Sequence, residues 1–379
     1  MNQKELNELR RRFRFERTAI SRVYGCYVNG AGEIISRIDA SLGMMNQDEA
    51  EMYLKLLKKA LAGTLGKNLM DIIFTTKQVM DSEEHKLLST LRSSKLQDSF
   101  AREDFYQKVI SALDMDGQNY LILLASDSYD VPHKGKDGEV FEEGSEDVFT
   151  YFVCCIAPVK DASLALRYDA EMRQFHSAST GQTVGNPDVG FLFPAFDDRS
   201  ANIYNALYYS RDPADLHEEL IDALFRTEEP PMSAVEQKEN FQSVLCSSLE
   251  SECSFETVQA VHEQLRERIE AHRESKDPEA PALSVREVQG ILRDSGVSEK
   301  AADAFETGCA ESFGEGVVLN PANLIDSKKF TITTPEVKIS VDPAASYSIE
   351  LRTIGGRNYL LIPADDGVEV NGVPVVTGQ

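Results

Sequence analysis

The sequence predicts an α+β protein. It reads as a mixed N-terminal domain with a central β-sheet flanked by helices, followed by a helical segment and a small C-terminal antiparallel β unit. Three observations carry this. Amphipathic helical stretches alternate with β-rich runs through residues 1–113; two dense apolar runs, NYLILLAS and VFTYFVCCIAPV, occupy the middle; and the tail changes to short β-like segments separated by Pro, Gly and Asp. A chain of 379 residues exceeds one ordinary domain. With Pro230-Pro231 as the first boundary, the expected divisions are 1–230, 231–314 and 315–379.

The first helix is expected over residues 2–13, with Asn2 as N-cap, Glu5 three residues on, and Leu6, Leu9 and Phe13 along one side. ISRVYGCYVN and EIISRIDASL then form a hairpin around Gly30-Ala31-Gly32. A helix over 47–62 buries Tyr53, Leu54, Leu57, Ala60 and Leu61 and turns Lys55, Lys58 and Lys59 outward. After the Gly63–Gly66 break come a short buried strand, LMDIIFTT, and helices over 83–97 and 101–113. NYLILLAS and VFTYFVCCIAPV have the residue type of central strands covered on both faces. Between them lies the acidic, Gly-rich SYDVPHKGKDGEVFEEGSEDV. LALRYD, DVGFLFPAF and NIYNALYYS are read as extensions of the same sheet, and 216–225 as a helix. Helices follow over 234–251, 255–273, 284–294 and 298–313, with Ser284 and Glu287 forming a capping box. KKFTITT, EVKISVD, YSIELRTI, NYLLIP and VEVNGVPVV close the chain as β segments, Gly355-Gly356 marking a hairpin turn.

At 42% apolar and 27% charged, the chain can bury a core. It has no run of about 18 apolar residues and begins with the polar, basic MNQKELNELRRR, which predicts a cytoplasmic protein with no membrane partner. Cys26, Cys154, Cys155, Cys246, Cys253 and Cys309 include no C-x-x-C pair, so neither a disulfide framework nor a zinc site is signalled. Cys154 and Cys155 point to opposite faces of a strand and cannot grip one metal together.

GTLGKN resembles a phosphate loop, but Walker A needs Gly where Leu61 stands and Ser or Thr where Asn68 stands. A helix end followed by a turn is the better reading. LDMDGQ opens like a calcium loop through Asp114 and Asp116, then breaks at Ala125, where a bidentate Glu belongs. Asp197 and Asp198 beside Arg199 form a candidate polar site, since paired carboxylates can hold a metal or move protons; a capped turn is the alternative. There is no H-E-x-x-H, no G-x-S-x-G and no close histidine pair, so no catalytic residue, cofactor or metal is assigned.

Charge carries the most content. The net charge of −24 excludes a uniformly basic coat, yet residues 1–113 carry +3 and the remainder −27. In LRRRFRFER, Arg10, Arg11, Arg12, Arg14 and Arg17 surround Phe13 and Phe15, the chemistry that grips phosphates and stacks on bases. With Lys55, Lys58, Lys59 and Lys67 they form the candidate nucleic-acid-binding set. The alternative is a solvated arm pairing with the chain's own carboxylates.

LRRRFR, IISRIDASLG, LLKKALAGTLGKNLMDIIF, DSEEHKLLSTLR, GFLFPAFDDRSANIYNALYYSRD and NYLLIPADDGVEVNGVPV together resemble a bacterial family catalogued as a domain of unknown function, number 4317. That likeness implies no activity. In element order and in the tail FGEGVVLNPANLIDSKKFTITTPEVKISVD the chain also resembles YejK-type bacterial nucleoid-associated proteins. This second resemblance implies a non-catalytic protein that associates with DNA on the chromosome. Two other functions stay open: an acidic protein–protein adaptor or homo-oligomer, and an enzyme with a site near Asp197 and Asp198.

Overall fold

The computed structural model describes residues 1–134, 140–141, 148–161, 165–178, 181–365 and 367–375. The chain divides into two compact units, Met1–Ala234 with Pro278–Ala280, and Val235–Asp277 with Pro281–Gln379.

In the first unit, helix α1 (Gln3–Arg12) starts at the expected capping box: the Asn2 side chain accepts from the Glu5 amide while the Glu5 carboxylate accepts from the Asn2 amide. Strands β1 (Arg22–Val28) and β2 (Ile34–Ser41) form the expected hairpin. Helix α2 (Gln47–Lys59) leads to β3 (Leu69–Ile73), and helices α3 (Thr76–Asp81), α4 (Glu83–Ser93) and α5 (Ser99–Ala112) precede β4 (Asn119–Asp130). After the small pair β5 (His133–Lys134) and β6 (Val140–Phe141) comes the longest strand, β7 (Val148–Asp161). The acidic loop between β4 and β7 falls partly on residues 135–139 and 142–147, outside the described residues.

The eight-stranded sheet has the order β2-β1-β4-β7-β11-β14-β3, where β11 is Val189–Phe193 and β14 is Asn205–Ser210; every pairing is antiparallel. β10 (Gln182–Val184) also pairs with β7. LALRYD departs from expectation. It forms β8 (Ala165–Asp169), which turns back on β9 (Gln174–Ala178) as a separate hairpin outside the main sheet. The apolar run is short there, and Leu166, Tyr168 and Phe175 are exposed, so no buried face fixes it to the sheet. β12 (Ala195–Asp197) and β13 (Ser200–Asn202) form a further hairpin, and α6 (Glu218–Phe225) ends the unit's regular structure.

β4 and β7 sit centrally, paired over Asn119↔Val159 to Asp130↔Val148. Their lack of polar alternation has a simple cause: both sheet faces are covered. Ile122, Leu124, Phe152, Cys154, Ile156 and Phe191 pack with Leu88, Leu91, Phe105, Leu224 and Phe225 of α4, α5 and α6. Leu121, Leu123, Val153, Cys155 and Leu192 pack with Leu6, Leu9, Leu54 and Leu57 of α1 and α2. Cys154 and Cys155 thus lie in different cores, as strand geometry requires. Burying one such Phe or Leu contributes about 1.5–3 kcal/mol. Gly190 permits a close approach by the end of α2, since a Cβ there would lie 2.6 Å from Ala60 Cβ and 2.6 Å from the Cys154 carbonyl oxygen.

In the second unit, α7 (Ala234–Leu249), α8 (Phe255–Ser275), α9 (Val285–Asp294) and α10 (Glu299–Phe313) enclose a core of Phe241, Leu265, Leu292 and Phe305. The Ser284–Glu287 capping box opens α9 as expected. β15 (Leu283–Ser284) pairs with β16 (Val318–Leu319), and α11 (Pro321–Leu324) follows. The tail is three separate antiparallel pairs: β17 (Phe330–Thr333) with β18 (Lys338–Val341), β19 (Glu350–Ile354) with β20 (Arg357–Leu361), and β21 (Val368–Val370) with β22 (Val373–Val375). Gly355 and Gly356, at φ 59° and 80°, make the left-handed turn between β19 and β20.

Candidate anion-binding cleft

The arginines of the N-terminal arm divide into two groups. Arg10 faces inward along the sheet-covering layer and donates through Nε to the Leu61 carbonyl at 2.8 Å and through Nη2 to the Gly63 carbonyl at 2.9 Å. It therefore caps the region just past the end of α2, where carbonyls lack helical partners. Burial lowers its pKa. Arg12 forms a two-pronged pair with Asp127 of β4, both contacts at 3.0 Å. The Asp127 side chain is fully buried and also accepts from the Tyr151 hydroxyl at 2.9 Å. Burial alone would lower Arg12, but the bond and charge of Asp127 outweigh it and its pKa is raised. Burial, then Asp127, pushes the Tyr151 phenol well above its usual range, so the hydroxyl stays a donor.

Arg11, Arg14 and Arg17 are exposed, and among the described residues their side chains have no hydrogen bond or ion pair. Phe13 is buried in the core, whereas Phe15 is 38% exposed, so only one of the interleaved aromatics is open to solvent. Lys55 pairs with Glu51 at 3.2 Å and Lys59 donates to Asn186 at 2.6 Å. Lys58 is half-buried and Lys67 exposed, neither with a partner among the described residues. α1 and α2 cover the same sheet face, so their solvent-facing side chains look out from one side of this unit.

The Asp197-Asp198-Arg199 segment is a tight turn. Asp198 and Arg199 have φ of 48° and 60° and occupy the two turn positions between the paired Asp197 and Ser200. Asp197 pairs with the Met1 amino group and accepts from Asn202 at 2.7 Å, while Asp198 is exposed. The two carboxylates therefore do not converge on one site.

Arg199 instead joins the arm. Its Nη1 lies 2.7 Å from Glu8 of α1, its Nη2 donates to the Pro132 carbonyl at 3.1 Å, and Glu8 also accepts from the Tyr129 hydroxyl. Burial, then Glu8, raises Tyr129 to about 12. The Arg12 guanidinium stacks 4.8 Å from the Tyr129 ring centre. These groups enclose an open cleft of about 700 Å³, also lined by Lys4, Arg11 and Arg17. Five cationic side chains line it. Arg12 and Arg199 are each fixed by a carboxylate; Lys4, Arg11 and Arg17 have no side-chain partner among the described residues.

Sequence reasoning missed Lys4, Glu8 and Asp127. Lys4, Glu8 and Arg11 recur at helical i, i+4, i+7 spacing, a signal that shows the shared face. No local pattern shows Asp127.

The remaining motifs are structural. Thr64 in GTLGKN accepts backbone bonds from Lys67, Asn68 and Leu69, closing a turn. In LDMDGQ the Asp116 amide donates to Asp114 at 2.9 Å, and Asp116 and Gly117 have φ of 52° and 70°, which makes a helix-to-strand turn. Among the described residues, no group of three or more His, Cys, Asp or Glu side chains is placed to hold a metal ion. No described helix is long and apolar enough to cross a membrane.

No curated protein matches the chain. A family model described as "Domain of unknown function (DUF4317)" matches residues 1–373, and the chain belongs to that family.

Proposed function

We propose that this protein binds nucleic acid, through phosphate contacts made by the cationic side of the α1–α2 layer. The observation that supports this reading is the cleft in which Lys4, Arg11 and Arg17 stand free beside two guanidiniums held in place by Glu8 and Asp127. Held arginines are preorganised, and the free ones lose no internal ion pair when a phosphate arrives. Arg14, Lys58 and Lys67 add exposed or half-exposed positive charge from the same helical layer or its adjoining turns. Arg10 acts as a support here and leaves the contacting set, while Arg12 lines the cleft with its plane held by Asp127.

The anionic remainder of the chain is compatible with this role. It repels the polyanion elsewhere and so orients it toward one small face. The resemblance to YejK-type nucleoid-associated proteins read from the sequence implies the same role, association with DNA on the chromosome. Base readout is not part of the proposal, because phosphate contacts position a ligand without reading its sequence.

The test is titration of labelled duplex and single-stranded DNA at several salt concentrations. Binding should weaken as log K falls linearly with log salt. Absence of salt-dependent binding to either form would defeat the reading.

A second reading rests on the opposite charge. Asp114, Asp116, Asp212, Asp215, Glu218 and Glu219 line another cleft of about 620 Å³, with Arg211 paired to Asp188 at 2.6 Å on its wall, and the surplus of carboxylates suits a basic segment of a protein partner. A partner captured from lysate only through this acidic cleft, and still captured after nuclease treatment, would favour an adaptor role over nucleic-acid binding.

A further inference from the structure

We infer that the cleft between α1 and the β12–β13 turn seats a terminal phosphate, a phosphomonoester carried by a strand end or by a free mononucleotide. This rests on the nucleic-acid reading above and narrows its ligand.

Two features of the cleft point to a monoester. The first is charge. Counting Lys4, Arg11, Arg12, Arg17 and Arg199 against Glu8 and the buried Asp127, three positive charges stay uncompensated around about 700 Å³. A phosphomonoester carries about −1.5 to −2 at neutral pH and offers three acceptor oxygens, whereas an internal phosphodiester carries one charge. Three free cations around one small volume match the former.

The second feature is the arrangement of donors. In Arg12, Nε and Nη2 are engaged by Asp127, which leaves Nη1 without a hydrogen bond among the described residues. In Arg199, Nη1 and Nη2 are engaged by Glu8 and Pro132, and the side chain also meets the Tyr129 hydroxyl. Arg12 thus keeps a spare donor while its plane is held, and Arg199 serves to hold the wall beside it. Glu8, fixed by Arg199 and Tyr129, puts a carboxylate on the cleft wall. Glu8 repels each phosphate that passes it, so a backbone carrying several phosphates through the cleft is disfavoured more than a single terminal group. The volume lies within the usual range of about 300–1,000 Å³ for small-ligand sites.

The experiment compares three probes on the full chain: a short 5′-phosphorylated DNA strand, a 5′-hydroxyl strand one nucleotide longer so that total charge is nearly matched, and adenosine monophosphate as competitor. The expected result is that the phosphorylated strand binds at least about tenfold more tightly, the effect of one added charged hydrogen bond. Arg11→Gln with Arg17→Gln should abolish that difference; both side chains are exposed, and an unchanged circular dichroism spectrum certifies the fold. Displacement by adenosine monophosphate at concentrations similar to those of the phosphorylated strand supports a free mononucleotide as the source; displacement only by strands supports a strand end. Equal, salt-dependent binding of the two strands overturns the terminal-phosphate seat and leaves nucleic-acid binding standing. Binding of none of the probes overturns both.

Discussion

Arg12 and Asp127, 115 positions apart in the chain, meet through two 3.0 Å contacts that tie helix α1 to the central strand β4. The Asp127 carboxylate is fully buried and the Arg12 side chain is 19% exposed. One partner of the pair cannot be removed without leaving charge in a poorly solvated place. Arg12→Ala should therefore destabilise the first unit by about 3 kcal/mol, the low end for a broken buried pair because the Tyr151 hydroxyl still serves Asp127. Exposed Arg11→Ala should change stability by less than about 0.5 kcal/mol. Urea denaturation of both variants checks the contrast.

Arg10 should behave as a fork that a point charge cannot replace. It serves two carbonyls at 2.8 and 2.9 Å beyond the end of α2. Arg10→Ala should cost about 1–2 kcal/mol, and Arg10→Lys should recover less than half, since one ammonium lacks the planar pair of donors. Thermal unfolding of the three proteins measures this.

Gly190 marks where α2 presses on the sheet. A methyl group there meets Ala60 and the Cys154 carbonyl, both at 2.6 Å, so either helix or strand must move. Gly190→Ala should destabilise by about 1–3 kcal/mol through overpacking. Pairing it with Ala60→Gly should recover part of the loss, which a double-mutant cycle would show.

Thiol chemistry should separate the cysteines sharply. Burial pushes Cys26 and Cys309 up to about 12 and raises Cys154 and Cys155 as well, whereas Cys246 is exposed. In a native-state reaction with a thiol reagent, Cys246 should label first, half-buried Cys253 more slowly, and the other four only on unfolding. The linkage has a definite sign. These folded pKa values lie above the unfolded value of about 8.5, so the contribution of the neutral thiols is full below that pH. It declines as pH rises toward about 12, because the unfolded chain releases its thiol protons first. Urea midpoints measured from pH 8 upward should fall, and serine at Cys26 should reduce the slope.

Much of the fold was readable because burial on both faces leaves a strong mark. The uninterrupted runs that form β4 and β7 are typical of central strands covered on both faces, and Asn2 with Glu5 marks the start of α1. LALRYD misled because a short β-rich run looks the same in a sheet and in a free hairpin; only its exposed face separates them. The candidate site was half legible. Composition located the arginines, and helical spacing could have added Lys4 and Glu8. Which arginines are free depends on Asp127 and on carbonyls of residues 61 and 63, long-range partners that no local pattern encodes. Arg199 follows two aspartates in sequence, yet its left-handed turn sends it to Glu8.

The central claim is that free arginines of the α1 arm contact nucleic-acid phosphate while Arg10 supports them and Arg12 lines the cleft with its plane held by Asp127. The most direct measurement is the salt slope of duplex-DNA binding for the wild type and for Arg11→Ala/Arg14→Ala/Arg17→Ala. Each lost phosphate contact should lower the slope by about 0.9, so the triple variant should lose about 2–3 units with unchanged urea stability. An unchanged slope in the folded triple variant, or no binding by the wild type, would contradict the account.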